Sequence, residues 1–493
     1  MKLSRPLIAL AWSLLVFAPL VQAGNPTPRA VSNAPDGAFV VKPYLQIGRT
    51  PAPDTLQLLW HAPDTDTDTD ADWSVEHRAA ADRPWGKADT LDFVPVAVAG
   101  IEPHRVYRAA LTGLVPGGSF AYRVLKGGEA VFSAEARAPK RADQPFRFVA
   151  FGDCGAGTPE QKPLAHRAYL SKPDLAVIPG DMVYEYGLIS EYREKFWPVY
   201  NAESPTESGS PLLRSVPFVA APGNHDTEIR DLDKYPDALA YYLVWDQPLN
   251  GPLGEEGGPF VPSLKGSEAN QRAFTKAAGK AYPRMTNFSF NYGNAHWTIV
   301  DSNPYVDWTD AKLKEWVAAD LASAKDATWR FVAFHHPGFN SANEHIEQQH
   351  MRLLAPILEA GKVDIVFSGH VHNYQRSFPL RFEPLKQGTL MVGGRDRKTV
   401  RGRVVPGRWT LDQSFDGKTD TSPEGVIYIV TGAGGQKLYN PEQNDDPDSW
   451  QKFTDKFVSN AHSLTVADVD GKTLTIRQLT AEGKEVDRFV VTK

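Results

Sequence analysis

Short apolar runs closed by glycine or by a small polar block recur along the chain at residues 146–151, 175–178, 216–220, 331–334 and 363–367. Runs of this length, rich in β-branched and aromatic residues, predict buried strands. Between them lie stretches with apolar residues at helical spacing, which predict helices over 162–170, 190–198, 307–324 and 347–360. In 307–324 the spaced positions are Leu313, Trp316, Val317 and Leu321; in 347–360 a proline, Pro356, sits late in the segment and weakens it. From 40 to about 138 the period changes to two: Leu56, Leu58 and Trp60 alternate with their neighbours, and so do Phe120, Tyr122 and Val124 after the turn Leu114-Val115-Pro116-Gly117-Gly118. The pattern predicts an all-β N-terminal sandwich (residues 40–140) followed by an α/β domain (145–493) of two stacked mixed sheets flanked by helices, joined by a linker at 139–144. In that sandwich Tyr122 is the expected corner tyrosine. Segments 249–280 and 380–425 interrupt the alternation and predict surface insertions.

Each of the five strand candidates runs into a polar block. In order these are Gly152-Asp153-Cys154-Gly155, Gly180-Asp181-Met182-Val183-Tyr184, Gly223-Asn224-His225-Asp226, His335 after Val332-Ala333-Phe334, and Gly369-His370-Val371-His372. The carboxyl edge of an α/β sheet is where such folds build their sites. Asp153, Asp181, Tyr184, Asn224, His335, His370 and His372 are seven candidate metal ligands. With one carboxylate shared they supply two ions with four protein ligands each. Two-metal hydrolytic sites hold their ions about 3.5–4 Å apart across a bridging oxygen. Oxygen and imidazole donors without thiolates suit iron, manganese or zinc. His335 and His336 are neighbours on an extended chain, so only one of them faces the metals.

These blocks resemble those of the metallophosphoesterases, and more narrowly the purple acid phosphatases of the larger type, with a fibronectin-like N-terminal domain. The narrowing rests on Tyr184, three residues after Asp181, and on Gly369-His370-Val371-His372-Asn373-Tyr374. The resemblance implies that Asp153, Tyr184 and His372 hold a ferric ion. It implies that Asn224, His335 and His370 hold a divalent ion (Zn, Mn or Fe), and that Asp181 bridges the two. It gives His225 a phosphate contact or the protonation of the leaving group, with Asp226 orienting it. It also implies a substrate role for His345, in a loop where Glu344 stands in place of a second histidine. The implied reaction is hydrolysis of phosphomonoesters by a metal-bound hydroxide. A phosphodiesterase or pyrophosphate hydrolase with the same metals is the nearest alternative, and a polymer-binding protein with a secondary metal site is a third.

Composition narrows the setting. The chain has 493 residues, long enough for two domains, and a net charge of −6, which with no basic stretch to offset it argues against a nucleic-acid partner. Residues 1–23 read as a signal peptide: Lys2 and Arg5, an apolar stretch from Leu7 to Leu20, then small residues to Ala23. The expected destination is the periplasm or the medium, with no membrane anchor left after cleavage, and 24–39 reads as a flexible leader. The single cysteine, Cys154, permits no internal disulfide and is expected to be a small packed residue beside the site. The Asp/Thr run at 64–72 lacks the glycine of an EF-hand loop and reads as solvated. Thr431-Gly432-Ala433-Gly434-Gly435 lacks the lysine of a P-loop and reads as a turn near the site. His296, His350 and His462 lie outside the blocks and are read as structural.

Overall fold

Two stacked sheets form the catalytic body, with one hydrophobic layer between them and one on each outer face under the helices, so the predicted strands are apolar on both faces. A computed structural model of the chain describes residues 37–64, 72–80, 82–393 and 398–493. The expected signal peptide, nearly all of the expected leader and residues 65–71 of the Asp/Thr run lie outside the described residues. One sheet has ten strands, in the order Glu485–Thr492, Thr473–Thr480, Ser463–Asp470, Phe146–Ala150, Leu175–Pro179, Phe218–Ala221, Val41–Gln46, Leu56–Pro63, His104–Leu111, Thr90–Val96. The other has seven, in the order Phe288–Tyr292, Ala295–Ile299, Trp329–Ala333, Ile365–Ser368, Ile427–Thr431, Tyr374–Ser377, Thr454–Val458. Between them Phe148 of the first sheet meets Trp297 at 5.0 Å, Phe331 at 5.5 Å and Phe367 at 5.6 Å in the second. All four rings are fully buried.

Parallel pairing sets the five polar blocks at one edge. Leu175–Pro179 lies parallel to both Phe146–Ala150 and Phe218–Ala221 in the first sheet. Trp329–Ala333 lies parallel to Ile365–Ser368 in the second. The five chain segments therefore leave their strands on the same side of the sandwich, which is how residues up to 219 positions apart in sequence (Asp153 and His372) come to face one another.

The N-terminal strands form the expected sandwich. A four-stranded sheet (Gly86–Lys87, Trp73–Arg78, Ser119–Lys126, Glu129–Arg137) packs on the Val41–Gln46, Leu56–Pro63 and His104–Leu111 strands through Trp60, Trp73, Tyr107 and Tyr122. This part is tied into the catalytic body by the ladder itself, because Gln46 pairs in parallel with Phe218. All described residues lie in one unit, Ala34–Lys493. Tyr122 is not a corner tyrosine: its hydroxyl donates to the carbonyl of Arg214, 92 residues away, at 2.8 Å. The phenol spans to the catalytic body instead of closing a turn within its own sandwich.

Three helix expectations change. Residues 307–324 give Ala311–Ser323, started by Asp310, whose side chain accepts from the Lys312 N–H at 2.9 Å. Residues 190–198 are split into Ile189–Glu191, a π-helical turn Tyr192–Phe196 and Trp197–Tyr200, with Pro198 in the first turn of the last. Residues 347–360 become a 3₁₀ turn, His350–Leu354, and a helix, Ala355–Ala360, because Pro356 lacks the N–H of a helix interior and is tolerated at a first turn. The insertion 249–280 carries the helix Glu268–Ala278, and 380–425 carries two ladders, Leu380–Pro384 with Gly407–Leu411 and Thr389–Gly393 with Thr399–Val404.

The seam between the N-terminal strands and the catalytic body holds two buried imidazoles. His61 and His104 stack at 5.2 Å, and His61 meets the Trp197 ring at 5.1 Å. The Tyr44 hydroxyl donates to the Val244 carbonyl at 2.7 Å, so His61 Nε2, 3.1 Å away, donates to it. Burial, helped by the Arg193 guanidinium, pushes His104 down to about 3, and burial with His104 pushes His61 down as well. Both rings are neutral in the fold and charge on unfolding below about pH 6.5. The unfolded state then binds more protons, so this pair withdraws stability as pH falls from about 6.5 towards the folded values. We expect His104→Asn to flatten the pH dependence of stability: between pH 7 and 4.5 the wild type should lose roughly 2–3 kcal/mol more than the variant. Urea unfolding across that range checks it, and parallel pH slopes for the two proteins would contradict it.

Candidate metal centre

The polar blocks leave their strands by sharp turns, and the turns place the ligands. Asp153 (φ 59°), Asp181 (φ 54°) and His370 (φ 66°) adopt the left-handed conformation that side chains other than glycine rarely take. With His345 (φ 61°) they make up four of the eight non-glycine residues at positive φ among the described residues, so backbone strain is concentrated here. The preceding glycines are dictated by close approach. A Cβ on Gly180 would sit 2.3 Å from His335 Nδ1, and one on Gly223 would sit 2.1 Å from Asp181 Oδ1.

Two groups of donors result. In the first, the Tyr184 hydroxyl lies 3.0 Å from Asp153 Oδ1 and 3.4 Å from His372 Nε2, and His372 Nε2 lies 3.4 Å from Asp153 Oδ1. In the second, His335 Nε2 lies 3.1 Å from Asn224 Oδ1 and 3.2 Å from Asp181 Oδ2. Asp153, Asp181 and His335 join the groups, with one ligand atom from each within 4.8 Å of the others, and all three are buried. His370 stands beside them, its ring 5.0 Å from that of His335, with Nε2 donating to Gln348 Oε1 at 2.6 Å. His336 does not join either donor group, though its ring packs 4.1 Å from that of His370. Its backbone N–H donates to Ser302 Oγ at 2.8 Å and its Nδ1 lies 3.2 Å from that oxygen.

The donor chemistry fits cations. His335 Nδ1 and His372 Nδ1 each lie within hydrogen-bond distance of a backbone carbonyl, Pro179 O at 2.9 Å and Lys437 O at 2.8 Å. A carbonyl only accepts, so both Nδ1 atoms carry the proton and both Nε2 atoms are left to ligate, the arrangement usual behind metal-bound imidazoles. Without a cation, oxygen acceptors and imidazole lone pairs would face one another. Burial opposes a charge on His335, but the Asp181 carboxylate outweighs it and raises the ring to about 9. Burial likewise raises Asp181, and the His335 and His225 rings outweigh it and lower its pKa. The pocket demands positive charge, from protons or from metal ions. The Tyr184 phenol, pushed up by burial and by the Asp153 and Asp181 carboxylates, keeps its proton unless a cation displaces it.

Around these two donor groups lie residues the sequence did and did not disclose. The His225 ring sits 4.3 Å from that of Tyr184, its Nδ1 donates to the Glu185 carbonyl at 2.8 Å, and its Nε2 is 4.0 Å from Asp181 Oδ2. Asp226 does not orient His225. Its carboxylate accepts the backbone N–H groups of Asp181, Met182 and Gly223 at 2.8–3.1 Å, tying the second block to the third. His345 packs 4.1 Å from His370, while Glu344 is exposed. Cys154 is buried in the core. The glycine segment after Ile427–Thr431 is a turn at the site, with the Gly152 N–H donating to Thr431 O at 2.9 Å. Tyr439, which no motif marked, stacks on His372 at 4.0 Å with the rings 14° apart and lies 5.6 Å from His345. Gln348 against His370 was also unmarked.

Residues 146–374, which carry all seven candidate ligands, match the calcineurin-like phosphoesterase family. The chain carries a metallophosphoesterase region. Its homologues include purple acid phosphatases: purple acid phosphatase 18 of Arabidopsis thaliana is 26% identical over 337 residues, 66% of this chain and 59% of that protein. An uncharacterized protein of Mycobacterium tuberculosis is 24% identical over 456 residues, 82% of this chain and 73% of its own length. Among solved structures, purple acid phosphatase PPD1 from yellow lupin (Lupinus luteus) seeds superposes with a TM-score of 0.60 at 18% identity, covering 91% of this chain and 74% of that one. The last likeness is one of fold: an N-terminal antiparallel sheet joined to mixed α/β sheets.

If the Asp181 carboxylate is shared by two ions, Asp181→Asn should lower occupancy of both, whereas His372→Ala and Asn224→Ala should each deplete mainly one. Elemental analysis of folded protein after metal supplementation gives the stoichiometries. Loss of a single ion from Asp181→Asn would place the bridge elsewhere.

Proposed function

We propose that this protein is an exported acid phosphatase that hydrolyses phosphomonoesters at a dinuclear centre of ferric iron and a divalent ion (zinc, manganese or iron). The observation that carries the reading is the Tyr184 phenol standing with Asp153 and His372, so that besides the shared Asp181 this set has two hard, anionic ligands and the Asn224–His335 set has none. Such asymmetry suits a trivalent ion next to a divalent one. The apolar stretch from Leu7 to Leu20 supports export.

When bound, the two ions would supply Lewis acidity towards the phosphoryl oxygens and lower the pKa of water. The chain's own residues do the rest. Asp181 holds the two donor sets together. With Nδ1 bonded to the Glu185 carbonyl, the His225 ring is fixed with Nε2 towards Asp181, where it can pass a proton to the departing alkoxide. His345, half-buried on the other flank against His370 and Tyr439, offers a ring N–H to a phosphoryl oxygen. The exposed Glu344 carboxylate leaves the phosphate little repulsion to overcome.

The reading is tested with metal-loaded protein on p-nitrophenyl phosphate and bis(p-nitrophenyl) phosphate. A higher kcat/KM on the monoester is expected; preference for the diester would make the enzyme a phosphodiesterase, and no turnover of either with both ions present would favour a binding protein. His345→Ala should lower monoester kcat/KM by roughly ten- to a hundred-fold, the effect of one charge-assisted hydrogen bond of about 1.5–3 kcal/mol, with metal content unchanged. An unaltered rate would remove His345 from the site. Tyr184→Phe should abolish the visible absorption of the iron-loaded enzyme while the far-ultraviolet dichroism stays the same. A retained band would mean that the phenol does not ligate ferric iron.

A further inference from the structure

Beside the metal centre lies a second concavity with a volume of about 150 Å³, the space of roughly five water molecules. One side is formed by Tyr305, Trp308 and His350, the other by Leu390, Val400 and Arg403 of the Thr389–Gly393 and Thr399–Val404 ladder. Two lining residues that are almost wholly buried carry polar atoms without a protein partner. His350 is 4% exposed and Trp308 is 1% exposed, and His350 Nδ1 and Trp308 Nε1 make no hydrogen bond among the described residues. Unpaired buried polar atoms are uncommon in folded proteins and call for a partner. Their chemistry is defined. His350 Nε2 lies 2.6 Å from the Ser302 carbonyl and so carries the proton, and burial lowers the ring to about 4 and keeps it neutral. Nδ1 is therefore an acceptor. The Trp308 indole is a donor only. A hydroxyl group is donor and acceptor at once and matches the chemistry of either atom. Arg403, held by the Gln387 and Gly388 carbonyls at 3.4 Å and lying 3.8 Å from Asp307, adds a cation at the wall, and Leu390 and Val400 add apolar surface.

The concavity shares its wall with the metal centre. His350 lies 5.4 Å from His336, which lies 4.1 Å from His370. On the ladder side Gly402 backs onto Gln348, to whose Cγ a Cβ there would come within 3.2 Å, and Gln348 Oε1 receives His370 Nε2 at 2.6 Å. The Gln349 N–H donates to the Arg403 carbonyl at 2.8 Å, so the ladder is fastened to the segment that carries His345. A phosphate ester seated on the ions has its alcohol to place, and this is an adjoining space with hydroxyl chemistry.

We propose that the concavity is the leaving-group subsite and that it selects phosphate esters of polyhydroxylated alcohols, such as sugars. The inference rests on the phosphomonoesterase reading above. In the test, kcat/KM of the metal-loaded enzyme is measured on glucose 1-phosphate and on methyl phosphate, whose leaving group is too small to fill the space, and saturation-transfer NMR is recorded with free glucose. Val400→Trp fills the concavity, and Trp308→Phe removes the donor while keeping an aromatic ring. The ratio of glucose 1-phosphate to methyl phosphate kcat/KM is expected to fall at least about fivefold in each variant, and the glucose signal to weaken. An unchanged ratio with no glucose signal in the wild type overturns the proposal, leaving the concavity a water site. An equal fall on both esters also overturns it, since the ladder then acts only through the metal centre. Glucose binding that is lost in the variants, from an enzyme that hydrolyses neither ester, supports the sugar site and overturns the phosphomonoesterase reading on which its catalytic use depends.

Discussion

Two carboxylates, Asp153 and Asp181, are held within a buried cluster whose ligand atoms lie inside 4.8 Å of one another. Both are essentially inaccessible to water. Like charges at that separation repel by at least about 3 kcal/mol at an effective dielectric constant of ~20, and burial adds to it. A fold keeps such a pair only if positive charge sits between them. The rest of the centre follows from that requirement: imidazoles held by a carbonyl behind Nδ1 so that Nε2 faces the oxygens, and a phenol that yields its proton only to a cation.

The sheets exist, in functional terms, to hold that pair still. Asp153 and Asp181 follow neighbouring parallel strands of the ten-stranded sheet, while His335 and His370 follow neighbouring parallel strands of the seven-stranded one. The aromatic layer around Phe148 keeps the two sheets in register with each other. Asp226 then fastens block to block through three backbone N–H groups, and glycine at 180 and 223 lets the second sheet's imidazole and the Asp181 carboxylate approach the turns. Strain at Asp153, Asp181 and His370 is sustained by this surrounding packing.

The strands and the polar blocks that close them were legible in the sequence because each is local: an apolar run of a few residues, a glycine, then a polar side chain. What escaped was set by contacts between distant segments. Tyr439 lies 67 positions after His372 and is placed against it by the Thr454–Val458 side of the seven-stranded sheet and by its own backbone bond to the His372 carbonyl at 3.0 Å, neither of which has a local signature. Gln348 is one polar residue in a polar loop until the ladder at 399–404 backs it onto His370. Tyr122 follows the alternation expected of a corner tyrosine, and only the docking of the sandwich on the catalytic body gives its hydroxyl to Arg214. Pro356 looks like a flaw in a long helix when only the sequence is considered, whereas it marks the first turn of the short helix Ala355–Ala360.

The central claim, that the buried acidic pair is the floor of a two-ion centre, is tested most directly by anomalous X-ray diffraction from crystals of metal-supplemented protein, recorded at the iron and zinc edges. The account predicts two anomalous peaks about 3.5–4 Å apart, one within ligating distance of Asp153, Tyr184 and His372, the other within reach of Asn224 and His335, with Asp181 between them. A single peak, or none, in protein whose fold is intact would contradict it.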